Sequence, residues 1–354
     1  MDGIGIRIKD RVIGPGQPTY IVAELSANHS QDFDQAVKLV TAAKRSGADA
    51  VKLQTYTPDT MTINSDKKCF RISGGTPWDD RNLYDLYREA FTPWDWQPKL
   101  KAVAEDLGID LFSTAFDSSS VDFLERMGVP VHKISSFEIV DTPLIERVAR
   151  TGKPLIISTG MAAFREIEEA VEAARSAGGE QIALLKCTSA YPALPEEMNL
   201  RTIPHLAEAF HLPVGLPDHT LDTAVPVAAV ALGACIIEKH FTLSRATPGP
   251  DSSFSLEPNE FEAMVDGVRI AEKALGKVKY TAGPEERRSG NFRRSLFVVR
   301  DMKAGERFSG ATVRSIRPGH GLAPKYMTKV LGCKAACDIG QGTPLEWKHV
   351  QKED

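Results

Sequence analysis

Eight short apolar runs, each followed by a longer segment with helical periodicity, constrain the fold of this chain more than any other feature. The runs cover residues 20–24, 50–54, 110–114, 131–134, 154–158, 182–187, 214–217 and 235–240. Eight alternating strand and helix units within about 260 residues are typical of a (β/α)8 barrel. A doubly wound open sheet is the alternative, and the absence of a Gly-x-Gly-x-x-Gly turn after the first run disfavours it.

The segments between the runs carry helix signals. Stretch 32–46 places apolar residues at helical spacing, and Gly178 and Gly179 end a similar stretch over 166–176. One connection, from Thr55 to about Asp95, is far longer than the others and is rich in Asn, Asp, Gly, Pro and Trp. Because long loops inside compact domains usually serve function, we expect an ordered loop that contributes to a site.

The strand–helix pattern ends after Leu275, which predicts a second domain. We expect a barrel domain over 1–280, a polar linker over 281–291 and a small β-rich domain over 292–354. Within the last part, residues 301–305 (Asp-Met-Lys-Ala-Gly) and 338–342 (Asp-Ile-Gly-Gln-Gly) form a weak repeat. Such a repeat predicts short β elements joined by tight turns.

Composition and charge exclude several classes of protein. Lys and Arg number 43 against 47 Asp and Glu, a net charge of -4, which argues against nucleic-acid binding. No run approaches the roughly 20 apolar residues of a membrane span, and the first ten residues lack the apolar core of a signal peptide. The five cysteines lack zinc-site spacing and are expected to be reduced thiols. We therefore expect a cytoplasmic protein.

The carboxyl ends of all eight predicted strands carry reactive or hydrogen-bonding side chains, and barrel enzymes place their sites at these ends. The ends supply Glu24, Lys52, Gln54, Thr114, Lys133, Ser136, Glu138, Ser158, Ser189, Tyr191, Asp218, His219, Glu238 and His240. Because side chains alternate between the two faces of a strand, Lys52 and Gln54 share one face, as do Glu238 and His240. Lys239 and Lys186 point the other way, and we expect them to be structural.

Two histidines indicate a metal site. His219 and His240 end neighbouring strands, so their rings can converge on one point. Two imidazoles and a carboxylate suit Mn²⁺, Co²⁺ or Fe²⁺ with open coordination positions. The alternative is a pair of unrelated core or solvent-facing histidines.

The inward lysines indicate an anionic substrate. Lys52 and Lys133, with the hydroxyls of Thr114, Ser136 and Ser158, would form a donor-rich cradle for a phosphorylated carboxylate, unless each lysine reaches solvent. The carboxyls of Glu24 and Glu138 are candidate acid and base groups, or else ion-pair partners of the two lysines.

Seven motifs in order resemble the sialic acid synthase family. They cover residues 21–29, 51–55, 133–138, 158–161, 186–192, 215–220 and 238–241. The resemblance spans nearly the whole chain, and the last 60 or so residues look like the antifreeze-like (SAF) domain of these synthases. Within the family, residues 23–29, 54–59, 64–66, 83–87 and 92–96 resemble the pseudaminic acid synthases. Phe137 also replaces the glycine of Ser-Gly-Glu found in synthases that use N-acetylmannosamine, and we expect it to shape the sugar pocket with the long loop.

The resemblance implies a reaction and a set of roles. Phosphoenolpyruvate and water would condense with 2,4-diacetamido-2,4,6-trideoxy-L-altrose to give pseudaminic acid and phosphate. His219 and His240 would hold Mn²⁺, Mg²⁺ or Co²⁺, and the phosphoenolpyruvate site would comprise Lys52, Thr114, Lys133, Ser136, Ser158 and Ser189. Sugar binding and proton transfer would involve Glu24, Gln54, Glu138, Tyr191 and Asp251.

The resemblance also implies a domain-swapped homodimer, in which Arg317 reaches over the active site of the partner subunit. One departure from the family pattern is Pro217, which stands where many relatives have serine in Gly-Leu-Ser-Asp-His. Proline has no hydroxyl, so a phosphate contact from that side chain is absent.

Several alternatives remain at this point. Within the family, the product could be N-acetylneuraminate or legionaminate. Outside it, the chain could be a metal-dependent barrel aldolase or lyase, or a non-catalytic carbohydrate or ice-surface binder. The residues alone indicate a barrel enzyme, metal-dependent, acting on an anionic substrate, and the named reaction depends on the resemblance.

Overall fold

The computed structural model describes residues 4–351 and divides into two compact units, Met1–Gly276 and Lys277–Asp354. The outer ends of the two predicted domains, 1–3 and 352–354, lie outside the described residues. The second unit begins at Lys277, so the segment expected as a linker, 281–291, belongs to it.

The first unit is built on a closed parallel barrel, which confirms the predicted (β/α)8 fold. Its eight strands follow the chain order, and the last pairs with the first. The strands are β3 (Tyr20–Glu24), β4 (Ala50–Thr55), β5 (Asp110–Ala115), β6 (His132–Ile134), β7 (Leu155–Ser158), β8 (Ile182–Leu185), β9 (Val214–Asp218) and β10 (Ile236–His240). Each coincides with one predicted run to within two residues, because buried parallel strands are continuous apolar runs.

Helices connect the strands. The first, α1 (Phe33–Arg45), begins after Asp32, whose carboxylate accepts hydrogen bonds from the backbone N–H groups of Asp34 and Gln35. The others that follow a barrel strand directly or through a longer connection are α4 (Gln97–Asp106), α5 (Ser118–Met127), α6 (Thr142–Ala149), α7 (Phe164–Ser176), α8 (Thr202–Phe210), α9 (Ala224–Ala231) and α10 (Pro258–Leu275).

A two-stranded hairpin that the sequence reading missed precedes the barrel. It consists of β1 (Ile6–Ile8) and β2 (Arg11–Ile13), and Ile6, Ile8 and Ile13 are buried. Arg11 pairs with Asp49, next to the start of β4. The hairpin therefore covers the amino-terminal end of the barrel. Strands of three residues are too short for apolar alternation to reveal them.

The long connection after β4 is ordered, as expected. It contains α2 (Pro58–Met61), a 3-10 turn at Lys68–Phe70 and α3 (Leu83–Ala90). The hydroxyl of Tyr84 donates to Asp59 Oδ1 (3.0 Å), which ties α3 to α2. The Trp94 indole donates to the backbone carbonyl of Tyr56 (3.0 Å), which ties the end of the connection to its beginning.

The second unit has its own apolar core around β11 (Ser295–Val298) and β12 (Val313–Ile316), which pair antiparallel, with short helices α11 (Pro284–Arg288) and α12 (Met327–Val330). The two copies of the predicted repeat pair at Met302 and Ile339. Asp301 accepts from the N–H of residue 341 and Asp338 from that of residue 304, each at 2.8 Å. The aspartate of each repeat copy thus caps the turn of the other copy.

None of the helices within residues 4–351 combines the length and the apolar composition of a membrane span. All five cysteines are free thiols, and Cys187 and Cys235 are buried.

Candidate active site

A cavity of about 390 Å³ lies at the carboxyl ends of the barrel strands. It is lined by all the predicted site residues except Ser189 and Arg317. These lining residues are Glu24, Lys52, Gln54, Thr114, Lys133, Ser136, Glu138, Ser158, Tyr191, His219, His240 and Asp251. Side chains from the connection after β4 also line it, so that connection contributes to the site as expected.

Strand register explains why these side chains meet. His240 lies opposite Glu24 in the neighbouring strand, and Glu24 lies opposite Lys52 in the next. Thr114 lies opposite Lys133 in the same way. Residues in register on adjacent strands share a face, and here that face is the interior of the barrel.

Lys239 lies on the other face, as alternation predicts. Its ammonium is fully buried and forms an ion pair with Asp218 (Nζ–Oδ2 2.5 Å) and a hydrogen bond to the carbonyl of Thr220. Lys186 also has a protein partner, the Thr188 hydroxyl at 2.7 Å. Neither lysine lines the cavity, which agrees with the structural role expected for both, and the buried charge of Lys239 is balanced by Asp218.

Lys52 is a buried cation between two carboxylates. It pairs with Glu24, lies 3.7 Å from Glu238 Oε1 and donates to Thr114 Oγ1 (2.9 Å). Burial acts to lower the pKa of Lys52, but the charges of Glu238 and Glu24 outweigh it and raise that pKa above the ordinary value. Burial raises the pKa of Glu24 to about 7, although Lys52 opposes the change. Glu24 can therefore carry a proton near neutral pH, beside a lysine that stays charged.

Lys133 is equally buried but differently satisfied. Its ammonium donates to Ser158 Oγ (2.7 Å) and to the carbonyl of Ile134 (2.9 Å). Among residues 4–351, no carboxylate lies within ion-pair distance of it, and burial lowers its pKa. A buried ammonium without a counter-ion is costly, so this position favours an anionic ligand.

A glycine shapes the neighbouring wall. The Gly160 N–H donates to Ser136 Oγ (3.1 Å), and a side chain at position 160 would collide with the hydroxyls of Ser136 and Ser189. Ser189 lies 3.8 Å from Cys187 Sγ and is not among the residues that line the cavity, unlike Ser136. Of the hydroxyl residues predicted to contact phosphoenolpyruvate, Thr114, Ser136 and Ser158 therefore line the cavity with Lys133, and Ser189 does not.

The two histidines lie next to each other, with ring centroids 5.4 Å apart. His219 Nδ1 is 2.8 Å from the carbonyl of Thr188, so it carries the proton and leaves Nε2 with a free lone pair. His240 Nδ1 is buried without a hydrogen-bond partner. Burial lowers the pKa of both rings, which keeps them in the neutral form that binds metals.

The donor set fits a divalent ion held by two imidazoles, with substrate and water in the other positions. Within residues 4–351, no group of three His, Cys, Asp or Glu side chains is arranged to hold a metal. The observation that favours a ligand here is that two neutral imidazoles with neighbouring rings line the same cavity, and that His219 Nε2 has a free lone pair. The orphaned nitrogen of His240 adds to it, although His132, outside the cavity, has one too.

Three further predicted residues surround this centre. The Tyr191 ring packs on the His219 ring at 4.3 Å. Asp251 accepts a hydrogen bond from the Ser26 hydroxyl, and burial raises the pKa of Asp251. Gln54 donates to Ser26 Oγ at 3.0 Å and also to Glu24 Oε1 at 3.2 Å.

Glu24 and Glu138 differ in their partners. Glu24 is an ion-pair partner of Lys52, one of the two roles considered for it. Glu138 accepts from the Ser135 hydroxyl and forms no ion pair with any of residues 4–351, and burial raises its pKa. Both carboxyls therefore remain candidates for proton transfer.

The structure adds residues to which sequence reasoning gave no role. Ser26 joins Asp251 to Gln54, and Cys187 and Trp78 line the cavity. Glu238, which strand alternation placed on the inner face without a role, faces Lys52, whereas Trp78 carries no local signal. Pro217 also lines the cavity, without a hydroxyl to donate.

The fold and the site define a barrel enzyme with a two-histidine, two-lysine cavity. The chain matches the NeuB family over residues 39–280 and the SAF domain over residues 293–351. It belongs to the NeuB family and carries a C-terminal SAF domain.

Relatives and a solved structure agree with this assignment. The chain is 46% identical to pseudaminic acid synthase of Campylobacter jejuni (strain 81-176), covering 92% of this chain and 95% of the relative. It is 44% identical to pseudaminic acid synthase of Helicobacter pylori (strain 26695), covering 95% and 99%. A solved N-acetylneuraminic acid synthetase from Leptospira borgpetersenii is similar with a TM-score of 0.72 and 30% identity, covering 82% of this chain and 96% of that one.

Proposed function

We propose that this chain condenses phosphoenolpyruvate with 2,4-diacetamido-2,4,6-trideoxy-L-altrose and water, giving pseudaminic acid and phosphate. The observation that carries the proposal is one cavity lined by Lys52, Lys133, His219 and His240. The 44–46% identity to pseudaminic acid synthases over more than nine-tenths of the chain supports the choice of sugar.

The cradle around Lys133 would hold the phosphate. Lys133 has no carboxylate partner, and Ser136 and Ser158 add hydroxyl donors beside it. Lys52 stays charged between Glu24 and Glu238, so it is placed to contact a substrate carboxylate and to hold Glu24 beside it. Lys133 would thus bind the phosphate of phosphoenolpyruvate, and Lys52 would bind its carboxylate.

The chemistry forms one carbon–carbon bond and breaks one carbon–oxygen bond. The methylene carbon of phosphoenolpyruvate attacks the aldehyde carbon, and the aldehyde oxygen takes a proton, for which Glu24 is a donor with a pKa near 7. The cationic centre left at the enol carbon is stabilised by Glu138. Water adds there and gives up a proton, and the tetrahedral intermediate expels phosphate with its bridging oxygen.

The proposed reaction also uses a divalent ion. Held by His219 and His240, Mn²⁺, Mg²⁺ or Co²⁺ would supply Lewis-acid polarisation of the aldehyde oxygen. Tyr191, packed on His219, would hold that ring in place and narrow the space left for the sugar.

Phosphate release tests the proposal directly. Purified protein with Mn²⁺ and phosphoenolpyruvate should release phosphate with the trideoxy-L-altrose substrate and far more slowly with N-acetylmannosamine. Preference for N-acetylmannosamine, or no release with either sugar, would overturn the assignment. With ¹⁸O in the bridging position of phosphoenolpyruvate, the label should leave in phosphate, and its retention in the sugar acid would exclude the carbon–oxygen cleavage.

The aldolase alternative makes a different prediction. An aldolase that needs no phosphate site would keep its activity in Lys52→Ala and Lys133→Ala. In the proposed synthase both substitutions abolish measurable turnover, while alanine at the exposed Lys325 does not.

A domain-swapped homodimer is also proposed, on the family resemblance and on the surface of the barrel. Four consecutive loops at the carboxyl ends of the strands expose large apolar side chains, namely Phe137, Val140, Met161, Phe164, Leu194 and Leu221. Contiguous exposed apolar surface is typical of a protein interface. In the proposed dimer, Arg317, which is exposed in the second unit, acts at the site of the partner copy.

Complementation between variants tests this arrangement. Arg317→Ala and Lys133→Ala should each be inactive, and mixing them after mild dissociation should restore part of the activity, because a mixed dimer carries one intact site. A monomer by light scattering, or no recovery on mixing, would contradict the proposal.

A cytoplasmic location is proposed as well. The five free thiols support it, since a reducing compartment keeps cysteines unpaired. Cell fractionation with an antibody to the chain would test it.

A further inference from the structure

Helix α3 turns its apolar side toward the cavity. The α3 residues that line the cavity are Leu83, Leu86, Tyr87 and Ala90. Their spacing of i, i+3, i+4 and i+7 defines one face of a helix. Such a stripe usually packs on the core of a protein, whereas here it faces a cavity that also holds charged side chains. An apolar surface of a ligand packed on this stripe would remove its partly exposed side chains, Leu83, Tyr87 and Ala90, from water.

Aromatic residues extend this surface. Tyr56 is buried and contacts the rings of Tyr87 (centroids 5.6 Å) and Phe116 (5.2 Å) edge-on. Phe116 also lines the cavity, next to the end of β5. Leu83, Leu86, Tyr87, Ala90 and Phe116 together form what we call the apolar wall.

The apolar wall is held in place by polar contacts on its outer side. Asn82 Nδ2 donates to the carbonyl of Ser65 (2.8 Å) at the start of α3. Gln31 Nε2 donates to the carbonyl of Glu89 (3.0 Å) at its end. A wall anchored at both ends presents a fixed shape, so a ligand does not have to order it on binding.

We propose that the apolar wall binds the deoxy end of the sugar, and that it is the element that selects a 6-deoxy substrate over one with a hydroxyl at carbon 6. This inference rests on the proposed function. The histidines and lysines that would hold the reacting groups come from strand ends, which leaves the wall for the opposite end of the sugar. A hydroxyl against Leu83, Leu86 and Phe116 would lose its hydrogen bonds to water and gain none from these side chains.

The size of the expected selectivity follows from how strongly apolar pockets discriminate between related substrates. Pockets of this kind discriminate by about 10- to 100-fold when one group changes from methyl to hydroxyl-bearing carbon. The wild-type protein should therefore show kcat/KM about 10- to 100-fold higher for 2,4-diacetamido-2,4,6-trideoxy-L-altrose than for its analogue with a 6-hydroxyl group, assayed by phosphate release.

Substitutions of similar size test the wall itself. Leu83→Asn and Leu86→Asn should lower kcat/KM for the deoxy sugar about tenfold and leave the 6-hydroxy analogue within about threefold of wild type, so that the preference is largely lost. Leu275→Asn, at an exposed leucine of α10, is the matched control and should keep the wild-type ratio. Leu83 is more exposed than Leu86, so it provides the test should Leu86→Asn fail to fold by thermal unfolding.

The outcomes separate this inference from the proposed function. Equal kcat/KM for the two sugars in the wild type, or an unchanged ratio in folded Leu83→Asn, would overturn the apolar wall as the selector while leaving the synthase assignment intact. No phosphate release with the deoxy sugar in the wild type would instead overturn the proposed function.

Discussion

The two ends of the barrel satisfy their charged groups differently. At the amino end, the Tyr20 hydroxyl donates to Asp110 (2.8 Å), Lys9 pairs with Asp110 (2.6 Å), and Arg11 pairs with Asp49 (2.5 Å). At the carboxyl end, Lys133 has no carboxylate within ion-pair distance among residues 4–351. A buried histidine nitrogen without a hydrogen-bond partner does not distinguish the ends, because both His132 and His240 have one in that part of the chain.

Strand β3 runs through both environments. Tyr20 and Glu24 lie four residues apart on the same face of this strand. Tyr20 reaches a network that the hairpin covers, whereas Glu24 reaches the cavity and has its pKa raised to about 7 by burial. The comparison shows that the charges at the amino end are paired within the protein, whereas Lys133 at the carboxyl end lacks a counter-ion among residues 4–351.

The largest expected difference between the two ends concerns histidine. His240→Ala should lower phosphate release at least ~10³-fold, because it removes half of the proposed metal site. Manganese titration by calorimetry should also lose its binding signal. The matched control is His132→Gln at the amino end, where His132 pairs with Glu125 (2.7 Å), and it should retain manganese binding. Loss of manganese binding in both variants would show that binding does not depend specifically on the histidine at the carboxyl end.

Lysine substitutions come next. Lys133→Met should lower kcat/KM for phosphoenolpyruvate by roughly 10²- to 10³-fold, because the substitution removes the buried cation that would face the phosphate of this substrate. The same change should leave the free energy of unfolding unchanged or raise it, since a buried charge without a counter-ion disappears. Lys52→Met should instead destabilise the fold, because it leaves Glu24 buried without its cation. Urea unfolding of both variants checks this, and equal destabilisation would contradict it.

A smaller effect than those of the histidine and lysine substitutions is expected in how the free energy of unfolding depends on pH. The pKa of Glu24 is about 7 in the folded chain, above its ordinary value of 4.5, because of burial. The folded state therefore keeps a proton that the unfolded state has lost, so stability falls as pH rises from about 4.5 to about 7. Glu24→Gln should flatten this decline by about 1–3 kcal/mol, measured by urea unfolding at pH 5 and pH 8. An unchanged slope would show that Glu24 is ionised throughout.

The smallest effect is expected at the amino end of the same strand. Tyr20→Phe should cost about 1 kcal/mol of unfolding free energy, the typical contribution of one hydrogen bond, and leave kcat/KM unchanged. A change in kcat/KM of more than about threefold would show that the two ends are coupled.

Much of the architecture could be predicted because its signals are local. The eight runs are apolar over four to six residues, and α1 has both helical periodicity and the Asp32 cap. The hairpin at 6–13 could not be predicted in this way, because Ile6 and Ile8 alternate with polar residues over only three positions.

The candidate site could be predicted in its parts but not in its pairings. Alternation correctly separated Lys239 from Glu238 and His240, since one position along a strand changes the face. It could not show that Lys52 pairs with Glu24 while Lys133 has no carboxylate partner among residues 4–351, because that depends on distances across several strands. Ser189 was expected at the cavity but is not among its lining residues, although its hydroxyl lies near Gly160, as that of Ser136 does.

By itself, the sequence determined the barrel, the second domain, the family and the set of inward-facing polar side chains. Each of these follows from periodicity or from short motifs that are contiguous in the chain. Tertiary structure alone decided which charges are paired, that the face of α3 turns toward the cavity, and that the hairpin covers the opposite end. These features depend on contacts between residues distant in sequence, and only closure of the barrel brings such residues together.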